Sequence, residues 1–314
     1  MVEHRYPSRR TMQIALGFVW LIDGVLQLKP EMFTRAFIQQ VILPVSQSQF
    51  AWIAHPIVLF AHWITPSIHA WDWAFALVQI ALGLALILNI LPRFALTLSF
   101  VWVLIVWWFG EGFGQLLTGQ ALTLTGAPGA VLLYGLIGIT VWPNAMNSRR
   151  WREQGLQFAR WSLATLWFLG AILQFQPTYL SPHGLTAAIL PNWLAHSVGN
   201  HGFMVSFMLG IVQFGLAVWI ASGKRLRMGL TFSMVLAFLF WWLGQGFGQI
   251  FTPLATDFNS GLLYILLALC VWPWTQKTVW HRSEEHFHYS NRDRDAYMFV
   301  SHRRNRAHSL GQLD

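Results

Sequence analysis

Charge is scarce in this chain. Only 10% of its 314 residues are Asp, Glu, Lys or Arg, against about 25% in soluble domains, which excludes an ordinary soluble globular protein. Cysteine is nearly absent. The single Cys270 excludes an internal disulfide and any multi-cysteine metal cluster, and its apolar surroundings read as packing. No nucleotide-binding glycine loop, zinc-protease motif, Ser/His/Asp arrangement or haem-attachment motif is present. The alternating short strands of a membrane barrel are also missing. The basic start (Arg5, Arg9, Arg10) runs into an apolar stretch with no small-x-small site after it, so a cleavable signal peptide is not expected.

What is abundant is apolar and aromatic. Hydrophobic residues make up 55%, with 19 Trp and 24 Phe, and mean hydropathy is +0.46. Several apolar stretches reach the roughly 20 residues that cross a bilayer as a helix. The expected class is therefore all-α, a polytopic membrane protein. The net charge of +8 does not indicate nucleic acid. The cations cluster at the N-terminus, at Arg149, Arg150, Arg152 and Arg160, at Lys224, Arg225 and Arg227, and beyond Lys277, which is the positive-inside pattern. It places both termini in the cytoplasm of a cell-membrane protein.

The chain repeats itself. Trp107-Trp108-Phe109-Gly110-Glu111-Gly112-Phe113-Gly114-Gln115 returns as Trp241-Trp242-Leu243-Gly244-Gln245-Gly246-Phe247-Gly248-Gln249. Leu132-Leu133-Tyr134 returns as Leu262-Leu263-Tyr264, Val141-Trp142-Pro143 as Val271-Trp272-Pro273, and Trp20-Leu21 with Leu26-Gln27 as Trp167-Phe168 with Leu173-Gln174. One unit of roughly 140 residues is thus written twice. Eight spans are expected as two parallel four-helix repeats: 12–28, 68–91, 94–117 and 129–146, then 159–175, 201–222, 226–250 and 260–275. The domains would be 1–147, 148–275 and a polar tail, 276–314. Connections 29–67 and 176–200 and loops 118–128 and 251–259 would lie outside, and runs of glycine would form the seams between helices.

The two copies differ where chemistry is expected. Glu111 and Asp23 stand where the second copy has Gln245 and Gly170. A carboxylate at membrane depth is costly, and two together favour one protonated form. Glu111 and Asp23 are therefore the candidate catalytic acids. Structural hydrogen bonding is the competing role for both. Trp107, Trp108, Gln115, Gln27, Gln245 and Gln249 are the candidate substrate-binding residues, against plain packing and inter-helix hydrogen bonding. His69 and Asp72, three apart on one helix face, and His201, the loose counterpart of His69, are candidate metal ligands. His55 and His62 continue a seven-residue spacing that Pro56 and Pro66 should interrupt. The histidines of the tail read as a solvated segment.

The run Gly17-Phe18-Val19-Trp20-Leu21-Ile22-Asp23-Gly24 resembles the first-helix pattern of DoxX-like bacterial membrane proteins, four-helix units with a long first external connection. That family includes the membrane subunit of thiosulfate:quinone oxidoreductase. The resemblance implies a membrane redox component, in the bacterial inner membrane, that handles a small substrate or a metal ion at the outer face and exchanges with the quinone pool. Quinone, copper or iron are the cofactors it suggests, and other respiratory subunits the partners. A non-catalytic subunit of a larger respiratory complex and a small-solute or metal transporter remain the alternatives. The tandem fusion and the Trp-Trp-x-Gly-x-Gly-Phe-Gly-Gln motif depart from the family pattern.

Overall fold

The computed structural model describes residues 4–5, 8–143 and 149–275. The expected repeat boundary at 147/148 and the tail 276–314 lie outside the described residues. Two short strands, β1 (His4–Arg5) and β2 (Trp274–Thr275), pair antiparallel and belong to a unit of their own. Everything else described forms one helical body within Tyr6–Pro273.

That body begins with α1 (Arg9–Leu26), whose N-terminus is capped by Ser8 Oγ accepting from the Thr11 amide at 3.0 Å. A single-turn α2 (Arg35–Phe37), α3 (Ala51–Ile64), α4 (Ile68–Leu88), α5 (Pro92–Phe109) and α6 (Ala130–Thr140) complete the first half. The second half carries α7 (Arg149–Gln174), α8 (Asn192–Val198), α9 (Gly202–Ser222), α10 (Leu226–Leu243) and α11 (Ser260–Cys270). Among the described residues, five helical stretches are long and apolar enough to cross a membrane: Ala51–Leu88, Pro92–Phe109, Glu153–Gln174, Asn192–Ser222 and Leu226–Leu243. They bare large side chains such as Leu77, Phe94, Leu104, Phe203 and Val235, as a lipid-facing surface requires. The described body within Tyr6–Pro273 is all-helical and is that of a membrane protein.

Three expectations change. The third span was to run to residue 117, but α5 stops at Phe109 and the glycine run makes a turn instead of a packing seam. Pro56 does not break the chain. It lies inside α3, where burial of Ile53, Ile57, Ala61 and Ile64 along one face offsets the lost backbone hydrogen bond. Pro66 does mark an interruption, the single turn Thr65–Ser67 between α3 and α4. Connection 29–67 is therefore more than a linker. Met32, Phe37, Ile38, Ile42, Ile53, Ile57 and Ile64 give it a hydrophobic core of its own, separate from the main one.

Helix packing follows small residues and indole hydrogen bonds. On α1, Gly17 and Gly24 face α4. A Cβ on Gly83 of α4 would stand 2.6 Å from the Leu21 amide nitrogen and 2.7 Å from the Gly17 carbonyl oxygen, so the two antiparallel backbones touch. Trp20 donates its indole N–H to Ser99 Oγ on α5 at 3.0 Å, and in the second half Trp167 donates to Ser233 Oγ on α10 at 2.8 Å. Tyr134 meets Trp20 edge-on at 4.6 Å, and Tyr264 lies 4.9 Å from Trp167. Arg93 and Arg227 each donate to the carbonyl of the Pro that follows α6 or α11, Pro143 and Pro273. Ser99→Ala strands the Trp20 N–H in a buried site. The expected cost is about 1 kcal/mol, read as a thermal midpoint in detergent lowered by a few degrees, with Ser233→Ala giving a matching loss.

Candidate functional site

At Phe109 the backbone leaves the helix. The amides of Gly110 and Glu111 both return to the Val106 carbonyl, at 2.8 and 3.0 Å. Gly112 then takes φ +52° and Gly114 φ +63°, left-handed values that glycine reaches without strain. Gly114 has a second reason to lack a side chain, since a Cβ there would overlap the Pro128 carbonyl. Gln49 donates to the Gly112 carbonyl at 2.7 Å and Gln115 to the Val45 carbonyl at 3.0 Å. The turn is thus latched to the folded connection beneath it.

This turn aims Glu111 at the start of α6. Its Oε1 accepts from the Val131 amide at 3.1 Å, the partner expected of an anion at a helix N-terminus. Its Oε2 is sealed from solvent and has no hydrogen-bond partner. Asp23, buried on α1, accepts from the Tyr134 hydroxyl at 2.6 Å through Oδ2, while Oδ1 has no partner. Both acids line one cavity of about 100 Å³. Its walls are apolar and aromatic: Trp20 from α1, Phe60 from α3, Phe75 from α4, and Trp102 and Phe109 from α5. Gln79 Oε1 and Trp102 Nε1, on the same lining, are also buried without partners. Among the described residues no Lys, Arg or His lines the cavity.

A third acid completes the group. Asp257, from loop 251–259 of the second half, lines the cavity with its neighbour Thr256. Its Oδ1 accepts from the Asn259 amide at 2.5 Å and its Oδ2 from Thr256 Oγ1 at 2.8 Å. Glu111, in the turn beyond α5, is pushed up to about 8 by burial, with the Asp257 charge adding to the effect. Burial also raises Asp257, against the hydrogen bonds from Thr256 and Asn259. Next to this cavity is a larger, more polar one of about 690 Å³, lined among others by Glu31, Gln40, Gln245 and Gln249. Val41, Thr256 and Asp257 line both. Lys29 fastens the edge of this vestibule by donating to the Ile250 and Thr252 carbonyls at 2.7 and 2.6 Å.

The other candidates fall into separate places. Gln27 lines the inner cavity and donates to Asp72 Oδ1 on α4. Gln245 and Gln249 line the vestibule. Gln245 also donates to the Thr123 carbonyl and Ser260 Oγ and accepts from the Gly261 amide at 2.9 Å. Trp107 and Trp108, expected to wall the pocket, do not line it. Trp107 donates to the Pro128 carbonyl at 2.8 Å with its ring edge-on to Phe113, and Trp108 stacks on Phe109. The reason is helical phase, for Trp102, Ile105, Val106 and Phe109 share the facing stripe at three- and four-residue spacing. Gln115 is spent on the latch. Among the described residues no three His, Cys, Asp or Glu gather as a ligand set, so His69, Asp72 and His201 do not form one. His69 is exposed, with its ring 5.9 Å from that of Phe33, and Asp72 is fully buried.

At the corresponding place in the second half, side chains occupy the space beside Gly170. A Cβ there would collide with Gln213 and stand 2.5 Å from Thr123 Oγ1. Thr123 comes from the first half, as Asp257 comes from the second, so each half sends a loop into the other's polar centre. No protein-family model matches the chain, and no curated protein or solved structure matches it either.

Proposed function

We propose that the protein is a membrane redox component whose inner cavity takes the headgroup of a quinone. The observation that carries this reading is the cavity itself: three carboxyl groups among aromatic walls, with no basic side chain on the lining and two carboxyl oxygens lacking partners. Without a counter-cation, a buried acid such as Glu111 is held protonated. A protonated carboxyl donates a hydrogen bond, and a quinone offers two carbonyl acceptors on a flat apolar ring. The volume is of the order a single six-membered ring needs, with the tail left toward lipid. A small electron donor, such as a reduced sulfur compound, supplies two electrons; the acids supply two protons; the product is the quinol. The resemblance of Gly17–Gly24 to the DoxX-like first helix points the same way.

In this reading the chain has eight spans in two parallel repeats, α1, α6 and α11 serving as short spans beside the five longer stretches. The paired contacts of Trp20 and Trp167, Arg93 and Arg227, and Glu111 and Gln245 support that view. The cationic loops support termini in the cytoplasm and an acid cavity near the outer face.

The test is calorimetric binding of a short-chain ubiquinone to protein in nanodiscs. Saturable binding is expected. Affinity should fall as pH rises through about 8, because Glu111 then ionises and its donor is lost. Asp23→Ala is expected to weaken binding about tenfold, the worth of one hydrogen bond of about 1.4 kcal/mol. Absence of saturable binding overturns the quinone reading in favour of a scaffold or transporter role.

A further inference from the structure

We propose that Asp257 is the proton-transfer residue that joins the buried acids Asp23 and Glu111 to the vestibule. The proposal rests on reading the inner cavity as a site that exchanges protons. Three residues line both cavities, Val41, Thr256 and Asp257. Val41 is apolar, and the Thr256 hydroxyl is already committed to Asp257 Oδ2. Asp257 is thus the one titratable group on the lining the two cavities share. Behind it, Glu111 Oε2 and Asp23 Oδ1 lack partners and are closed off by aromatic walls. In front of it, Glu31, Gln40 and Gln249 give a polar chamber large enough for many waters.

The position is built for the purpose. In the repeat Asp257 takes the place of Ala127, so the second half contributes an acid where the first has a methyl group. Its carboxylate is oriented by the Asn259 amide and the Thr256 hydroxyl. The charged and titratable groups facing it are Asp23 on α1, Glu111 in the turn after α5, Tyr134 on α6 and Glu31 in the vestibule. The transfer balances without another reactant. A proton on Glu111 passes through cavity water to the Asp257 carboxylate, leaving Glu111 ionised, and Asp257 then releases it to vestibule water. Uptake runs in reverse.

The experiment reads hydrogen–deuterium exchange of the Glu111 carboxylic C=O stretch by infrared spectroscopy after transfer of the full-length protein to heavy water, the band being assigned by its loss in Glu111→Gln. Asp257→Asn keeps an acceptor for the Asn259 amide and can donate its side-chain NH2 to the Thr256 hydroxyl, but it cannot carry the proton. Exchange is expected to slow about a hundredfold, the low end of what a proton-transfer group contributes, and Asp257→Glu is expected to restore it. Exchange at the wild-type rate in Asp257→Asn overturns the proposal, and so does equal slowing in both variants, which marks a loop effect. If Asp257→Asn fails to accumulate, wild-type protein treated with a water-soluble carbodiimide gives the second measurement. Glu111 exchange should slow in step with modification of Asp257 mapped by mass spectrometry, and exchange indifferent to that modification overturns the assignment. The exchange measurement uses no quinone, so failure of the route and failure of the quinone reading are separate results.

Discussion

Replacing Glu111 with glutamine is expected to leave the protein folded while abolishing the pH dependence of ligand binding. The fold should survive because the chain already contains the substitution. Gln245 occupies the matching turn and its Oε1 accepts from the Gly261 amide at 2.9 Å, as Glu111 Oε1 accepts from Val131 at 3.1 Å. A glutamine at 111 keeps that acceptor at the start of α6 and only removes the titrating proton. In the wild type, a carboxyl near 8 that must be protonated to donate loses about tenfold in apparent affinity between about pH 6 and about pH 9. In the variant the profile should be flat, with thermal stability unchanged. Glu111→Ala is the contrast, since it strands the Val131 amide and costs about 1 kcal/mol. A pH profile that persists in Glu111→Gln assigns the titration to another group.

Gly83→Leu is expected to stop the protein accumulating in the membrane. The Cβ alone would press into the α1 backbone at Leu21 and Gly17, and backbone cannot rotate aside as a side chain can. Overpacking of this kind costs about 3 kcal/mol or more, a large share of a typical fold's net stability. Gly215→Ala is the control. No heavy atom lies within 4 Å of its Cβ position, so it should be neutral or slightly stabilising. Comparison of membrane yield and of detergent melting separates the two.

Much of this was legible in the residues. Apolar runs of spanning length gave the helices, and the internal repetition paired Glu111 with Gln245 and Asp23 with Gly170. That asymmetry picked out two acids, one on α1 and one in the turn beyond α5, that line one cavity. Asp257 was missed because the loop after the second motif is shorter and of different composition, so nothing in the repeat aligned it with a site. Its signal was local: an acid in an otherwise uncharged loop, two residues before an Asn. The Trp pairs misled because neighbouring helical residues point about 100° apart, and the stripe facing the cavity runs through Trp102 and Phe109 instead. The glycine run reads as helix in the sequence, yet four successive left-handed residues, Gly112, Phe113, Gly114 and Gln115, make it a turn. Connection 29–67 shows only two moderately apolar pieces broken by Pro44, Pro56 and Pro66, because those prolines hide the spacing of Ile53, Ile57 and Ile64.

The crossed loops tie the fates of the halves together. Thr123 sits among Gly170, Gln213 and Gln245, and Asp257 among Asp23, Glu111 and Tyr134. A gene fusion usually frees one duplicate to drift while the other keeps working. Here a change in either half's outer loop is felt in the other half's interior, so a substitution within 251–259 acts directly on the acids of α1 and of the turn beyond α5.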